Sequence, residues 1–126
     1  MSYRTDRQRV TGLGTAHEGS GHWWSQRVTS IALVPLTILF VFPFARALGD
    51  DFESVRAIYA NPFNAIVAIL FLVVTFYHLQ QGLQVVVEDY VHAKPTRTAL
   101  LLGNIALCWA LGLAGAFAVA KIAFAA

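Results

Sequence analysis

The chain is poor in charge and nearly free of cysteine. Only 13% of its 126 residues are Asp, Glu, Lys or Arg, where soluble chains average about 25%. Set against 57% hydrophobic residues, that deficit excludes a water-soluble Rossmann or TIM-barrel domain, and the length allows one domain at most. The one cysteine, Cys108, cannot form an internal disulfide and lies inside an apolar run, which excludes a disulfide-built secreted domain. A basic patch is missing too. The net charge is +2, and Lys and Arg sit at the ends of apolar runs. This distribution marks topology and gives no footprint for nucleic acid.

What the chain has instead is three long apolar runs, at about 28–48, 63–87 and 99–124. A hydrocarbon core of about 30 Å needs roughly 20 helical residues at about 1.5 Å each, and each run meets that length. The runs are apolar around most of their circumference, so a soluble bundle lacks the polar face it would need. Pro35 and Pro43 fall in the first run, and neighbouring helices in a bilayer tolerate such breaks. The fold class is therefore all-α: a three-transmembrane-helix domain over 28–126, preceded by a polar, glycine-rich segment, 1–27, expected to be a flexible lead-in. Gly12-Leu13-Gly14 has neither a preceding strand nor a correctly spaced third glycine, so it makes no phosphate loop. No apolar stretch begins near Met1, and no cleaved signal peptide is expected.

Orientation follows from the basic residues. Arg4, Arg7, Arg9 and Arg27 precede the first span, and Lys94 and Arg97 lie between the second and third. The other side has Arg46, Arg56 and Lys121. Six against three predicts a cytoplasmic N-terminus and an outward C-terminus, with Trp23 and Trp24 at the cytoplasmic interface. The first loop predicts a short surface helix with Phe52, Val55 and Tyr59 on one side, and Asn61-Pro62 reads as a helix start. In the third span, Ala106, Ala110, Ala114 and Ala118 form one small-residue ridge, and Gly112, Ala116 and Ala120 form another. Such ridges let helix backbones approach closely.

The second span carries the chemistry. Tyr77, Gln81, Gln84 and Glu88 recur at helical spacing as a polar stripe, with His78 along its edge. A stripe of this kind must face protein, a cofactor or water. His78 lies about 15 Å along the helix axis from Glu88, well inside the hydrocarbon. Gly82 follows it by one turn on the same face, leaving a flat slot beside the imidazole into which a porphyrin would fit. The residues alone leave three roles open: haem ligation, a neutral histidine bonded across helices, and a proton relay. His22 belongs near the interface and His92 in a loop, so a bis-histidine haem would need its second ligand from another polypeptide. Asp89 and Tyr90 close the span. A tyrosine hydroxyl there can hydrogen-bond a quinone carbonyl, or the pair can be an aromatic-belt tyrosine with a solvated aspartate.

Two stretches, GHWWSQRVTSIALVPL and YHLQQGLQVVVEDYVH, resemble the hydrophobic membrane-anchor subunit of succinate dehydrogenase (respiratory complex II). The likeness is to the alphaproteobacterial and mitochondrial-like branch, over residues 12–126, and the third span is generic. The resemblance implies a heteromeric helical bundle whose partners are a cytochrome b subunit, an iron–sulfur subunit, a flavoprotein subunit and membrane lipid. No nucleic acid is expected among them. It implies that His78 is an axial iron ligand of haem b, beside Gly82, with Arg27 near the haem propionates. Arg27 also reads as a snorkelling interface arginine. It implies further that Tyr90 and Asp89 border the ubiquinone site; His22, Trp24 and Ser25 are weaker candidates to which it assigns no definite role. The expected location is a bacterial inner membrane with the C-terminus periplasmic, and the chain is expected to be no enzyme on its own. Two alternatives stand beside this reading: the anchor of a quinol:fumarate reductase, and a cofactor-free structural subunit of another respiratory complex.

Overall fold

The computed structural model describes residues 3–12 and 19–124. The rest of the glycine-rich lead-in, residues 13–18, lies outside the described residues and with it two residues of the Gly12-Leu13-Gly14 motif.

The described chain is helical almost throughout. Helix α1, Asp6–Thr11, is a single short element opened by a capping box. The Thr5 hydroxyl accepts from the Gln8 backbone N–H at 3.2 Å, and the Gln8 side chain accepts in return from the Thr5 N–H at 3.1 Å. This reciprocal pair satisfies two of the first-turn donors that a helix leaves unpaired.

Helix α2, Gly19–Ala47, is 29 residues long. It begins well before the apolar run starts near Val28, so Trp23 to Arg27 are helical and do not belong to a flexible lead-in. The reason is local. No proline separates His22 from Val28, and Ser25 and Thr29 find partners on the neighbouring long helix that hold the polar turns in register. At about 1.5 Å per residue the helix reaches roughly 44 Å, longer than the hydrocarbon core. It runs through Pro35 and Pro43, each of which removes one ladder hydrogen bond.

Helix α3, Phe52–Ala60, is the short helix expected in the first loop. Its cap, Asp51, accepts from the Ser54 N–H at 2.9 Å. Hydrogen bonds from Ser54 favour the carboxylate and hold its pKa below the ordinary value. Of the three apolar residues expected to share a face, Tyr59 is buried, Val55 is half-buried and Phe52 is exposed. Burial disfavours the Tyr59 phenolate and raises its pKa. Helix α4, Pro62–Tyr90, starts as Asn61-Pro62 predicts, with Asn61 Oδ1 accepting from the Phe63 N–H at 2.9 Å. The Asn64 amide donates to the Ile58 carbonyl at 3.0 Å and ties α4 to α3. Helix α5, Lys94–Phe124, completes the chain.

Three of these helices, α2, α4 and α5, are long and apolar enough to cross a membrane, and the chain is a multi-pass membrane protein. Helix α4 is the central one. It packs against both α2 and α5, which do not approach each other closely, while α3 touches all three at one end. The α2–α4 seam includes Phe40 stacked on Phe71, ring centroids 4.3 Å apart and 11° between planes. The α4–α5 seam is built on small residues. Gly112 and Cys108 are buried there, and Tyr77 meets Trp109 in a tilted pair at 6.3 Å.

Of the two ridges in the third span, the one through Gly112 is the one used. A Cβ at Gly112 would lie 3.2 Å from Phe76 Cβ, and one at Gly115 would lie 3.2 Å from Leu72 Cδ1. Ala106, Ala110, Ala114 and Ala118 are exposed along their whole ridge. Because Phe76 Cβ is fixed to its backbone, a larger residue at 112 must push the helices apart. Gly112→Leu is expected to destabilise the protein by roughly 1–3 kcal/mol, the usual cost of overpacking. Gly103→Leu, at a site with no neighbouring atom within 4 Å, is expected to leave stability nearly unchanged. Thermal melting of both variants in mild detergent measures the difference.

Candidate functional site

The polar half of α4 faces α2. Gln81 is only 4% exposed, and its Nε2 donates to Ser25 Oγ of α2 at 2.8 Å. The Tyr77 hydroxyl, one turn earlier, shares that same Ser25 oxygen at 3.2 Å. His78 Nδ1 lies 2.9 Å from Thr29 Oγ1. Ser25 and Thr29 are four residues apart and therefore on one face of α2, as Tyr77, His78 and Gln81 are on one side of α4. Two residues of one helix thus receive three from the other.

The expected stripe divides in two. Tyr77 and Gln81 turn to α2, whereas Gln84 runs along α4, accepting from Gln80 Nε2 at 3.4 Å and donating to Glu88 Oε1 at 2.9 Å. Gln80 is buried on the side of α5, where Asn104 Nδ2 donates to its backbone carbonyl at 2.8 Å. Cys108 in turn donates weakly from Sγ to Asn104 Oδ1 at 3.4 Å. From Tyr77 to Glu88, each polar side chain of the span therefore has a protein group to answer it, as hydrocarbon requires.

Around His78 the packing is polar and incomplete. The space over Gly82 borders the Gln26 side chain, whose Nε2 would lie 3.7 Å from a Cβ at 82. The slot expected beside the imidazole is thus flanked by an amide from α2. Gln26 Oε1, Gln81 Oε1 and His22 Nε2 are buried without a hydrogen-bond partner among the described residues. Beyond its contact with Thr29, the His78 ring makes no further hydrogen bond among them.

The remaining predicted residues lie apart from this cluster. Arg27 is exposed, with its guanidinium carbon 5.3 Å from the Trp23 ring centroid, and Trp23 stacks with Trp24 at 5.9 Å. The three form a cationic, aromatic collar suited to a membrane interface. Asp89 and Tyr90 end α4, both exposed, with Tyr90 at 79%. Tyr90 follows His78 by twelve residues, about 18 Å along the axis and roughly 120° around it, so the two do not share a site. Thr29 is the site residue that sequence reasoning missed. Its signal was available: a hydroxyl four residues after Ser25 at the start of an apolar span.

Comparison with known proteins agrees with this architecture. The family model for the succinate dehydrogenase/fumarate reductase transmembrane subunit matches residues 1–119. The chain is 36% identical over 122 residues to the succinate dehydrogenase hydrophobic membrane anchor subunit of Paracoccus denitrificans, covering 97% of this chain and 94% of that one. It is 33% identical over 82 residues to the succinate dehydrogenase membrane anchor subunit of Reclinomonas americana, covering 63% and 68%. Against the corresponding hydrophobic anchor subunit of Rickettsia bellii the identity is 28% over 100 residues, covering 79% and 80%. No solved structure matches significantly. With residues 1–119 matched by the family model and 97% of the chain aligned to the Paracoccus relative, the chain belongs to the succinate dehydrogenase/fumarate reductase transmembrane-subunit family.

Proposed function

We propose that this chain anchors a succinate:quinone oxidoreductase in the membrane, provides one axial ligand of a shared haem b through His78, and forms part of the ubiquinone-reduction site with Tyr90 and Asp89. The observation that carries the proposal is His78 itself. It sits on the central helix within the span, held at Nδ1 by Thr29, with its ring otherwise without a hydrogen-bond partner among the described residues. A scaffold helix gains nothing from such a residue, since an intramembrane imidazole with an unanswered nitrogen is costly. The relatives are succinate dehydrogenase subunits, which favours succinate dehydrogenase over a quinol:fumarate reductase.

The residues fit the group. His78 offers a ring nitrogen, Gly82 adds no side chain beside it, and Gln26 Oε1, Gln81 Oε1 and His22 Nε2 are buried polar atoms on the same two helices that lack partners. When bound, haem b supplies one-electron redox chemistry, and the protein's share is ligation, orientation and electrostatics. Arg27 is the cation available to balance propionate charge.

At the far end of α4, Tyr90 has a hydroxyl able to donate to a quinone carbonyl, and Asp89 beside it is open to water and can exchange protons. Placed by its basic residues with the N-terminus in the cytoplasm of a bacterial inner membrane, the chain would present this end to the iron–sulfur and flavoprotein subunits. It would be one subunit of the enzyme and no catalyst alone.

Two outcomes are expected. His78→Ala, expressed with its partner subunits, removes or strongly weakens the b-type haem absorption of the purified complex; an unchanged spectrum and haem content would take His78 off the ligand list. Tyr90→Phe lowers quinone reduction by about three- to tenfold, the loss of one hydrogen bond worth about 1 kcal/mol, while succinate oxidation with an artificial acceptor stays near wild type. Equal losses in both assays would count against a quinone role.

A further inference from the structure

We infer that Thr29 is a positioning residue for the proposed haem site: its hydroxyl fixes the His78 tautomer so that Nδ1 carries the proton and Nε2 is the nitrogen offered to iron. The inference rests on the haem reading above and adds a residue and a direction to it.

The Thr29 hydroxyl has one proton and three polar neighbours. Thr29 Oγ1 lies 2.9 Å from the Ser25 carbonyl oxygen, 3.0 Å from the Gln26 carbonyl oxygen and 2.9 Å from His78 Nδ1. A hydroxyl has one hydrogen to give and two lone pairs with which to accept. Neither carbonyl has a hydrogen, so in those two contacts only Thr29 can donate. The bond back to the preceding turn is the usual one for threonine in a helix. Ser30 Oγ already donates to the Gln26 carbonyl at 2.8 Å, which directs the Thr29 proton to Ser25.

Once that proton is committed, the Thr29 oxygen can meet His78 only as an acceptor. Nδ1 must then bear the hydrogen and donate it. If Thr29 turned its proton to Nδ1 instead, its oxygen would face two carbonyl oxygens at about 3 Å with no hydrogen between them, a repulsive arrangement in a low-dielectric setting. A neutral imidazole has one N–H, and placing it on Nδ1 leaves a lone pair on Nε2. Metal-bound histidines characteristically donate their other ring N–H in this manner, which sets the tautomer and ring orientation and raises the basicity of the ligating nitrogen. Here the acceptor is a hydroxyl held by the backbone of the adjacent helix, so the ring is also fixed in rotation relative to α2.

The sign of the effect follows. An acceptor at Nδ1 makes Nε2 a better donor to iron and favours the ferric state, so removing it moves the haem midpoint potential upward and loosens binding. The test uses the whole complex purified in mild detergent with its partner subunits. Wild type, Thr29→Val, Thr29→Ala and Thr29→Ser are compared by haem content, by spectroelectrochemical redox titration and by the low-spin ferric electron paramagnetic resonance signal.

Thr29→Val is expected to raise the midpoint potential, to shift the resonance signal and to weaken haem retention by roughly ten- to a hundredfold, the typical effect of losing such a partner. A tenfold change in the ferric preference would read as about 59 mV. Thr29→Ser keeps the hydroxyl and is expected to restore wild-type values, while Thr29→Ala, which cannot clash, is expected to follow Thr29→Val.

Wild-type potential and resonance in both Thr29→Val and Thr29→Ala would overturn the inference. Thr29→Ser matching Thr29→Val would show that restoring the hydroxyl restores nothing, assign the effect to altered packing at residue 29, and overturn the inference equally. These failures leave His78 as a ligand. An unaltered haem in His78→Ala would remove the underlying reading together with this one, so the two failures are distinguishable.

Discussion

Hydrocarbon has no hydrogen bonds to offer, and α4 carries Tyr77, His78, Gln80, Gln81 and Gln84 into it. That constraint organises the molecule. Each of these side chains needs a protein partner within the span; α2 meets the need of Tyr77, His78 and Gln81 by presenting Ser25 and Thr29 one turn apart, while Gln80 and Gln84 bond along α4 itself. The geometry is economical because one serine oxygen serves both Tyr77 and Gln81. It also fixes helix register. A slide of α2 by one residue would rotate Ser25 by about 100° away from α4 and strand Tyr77, His78 and Gln81 at once.

The two sides of α4 are joined by different physics. Against α2 the contact is polar near the His78 end and aromatic further along, where Phe40 stacks on Phe71. Against α5 it is close packing, with Gly112 and Gly115 admitting Phe76 and Leu72. Lipid tails are as apolar as leucine, so burying apolar surface gives no drive for helices to associate in a bilayer, and fit and hydrogen bonding must supply it. Helix α4 uses both, which suits an element whose polar side chains must be held in place from one side while the other side supports it.

Much of this was legible in the sequence, and the parts that were not share a cause. Run length and composition identified the three spans, because the width of the hydrocarbon is a fixed ruler. Asn61-Pro62 announced the start of α4, because capping chemistry is local. The singularity of His78 was legible because an imidazole in a span is rare. The start of α2 was not. Ser25 looks like an interface residue until its partners Tyr77 and Gln81 on another helix are known. Thr29 escaped for the same reason, since a lone threonine at the head of a span is ordinary. The two alanine and glycine ridges of α5 were equally plausible by spacing, and only the position of Phe76 and Leu72 decides between them. What was hidden in each case is pairing across helices, which no single helical period encodes.

The same constraint bears on what the chain is without its partners. Helices α2 and α5 do not close around α4, so α4 is covered on two sides and open elsewhere. Tyr77 is held by Ser25 and still 37% exposed, and Phe42, Ile31 and Phe117 are more exposed than that. Exposed apolar side chains are at home in lipid. The polar atoms are not: Gln26 Oε1 and His22 Nε2 have no partner among the described residues, and the His78 ring is only half answered by Thr29. On the proposed reading the second His78 nitrogen is the group that a shared haem would answer, while the two buried atoms are polar groups that the packing of α2 leaves unpaired. A helix with no such role carries apolar side chains at these depths, as α5 does at most of its positions.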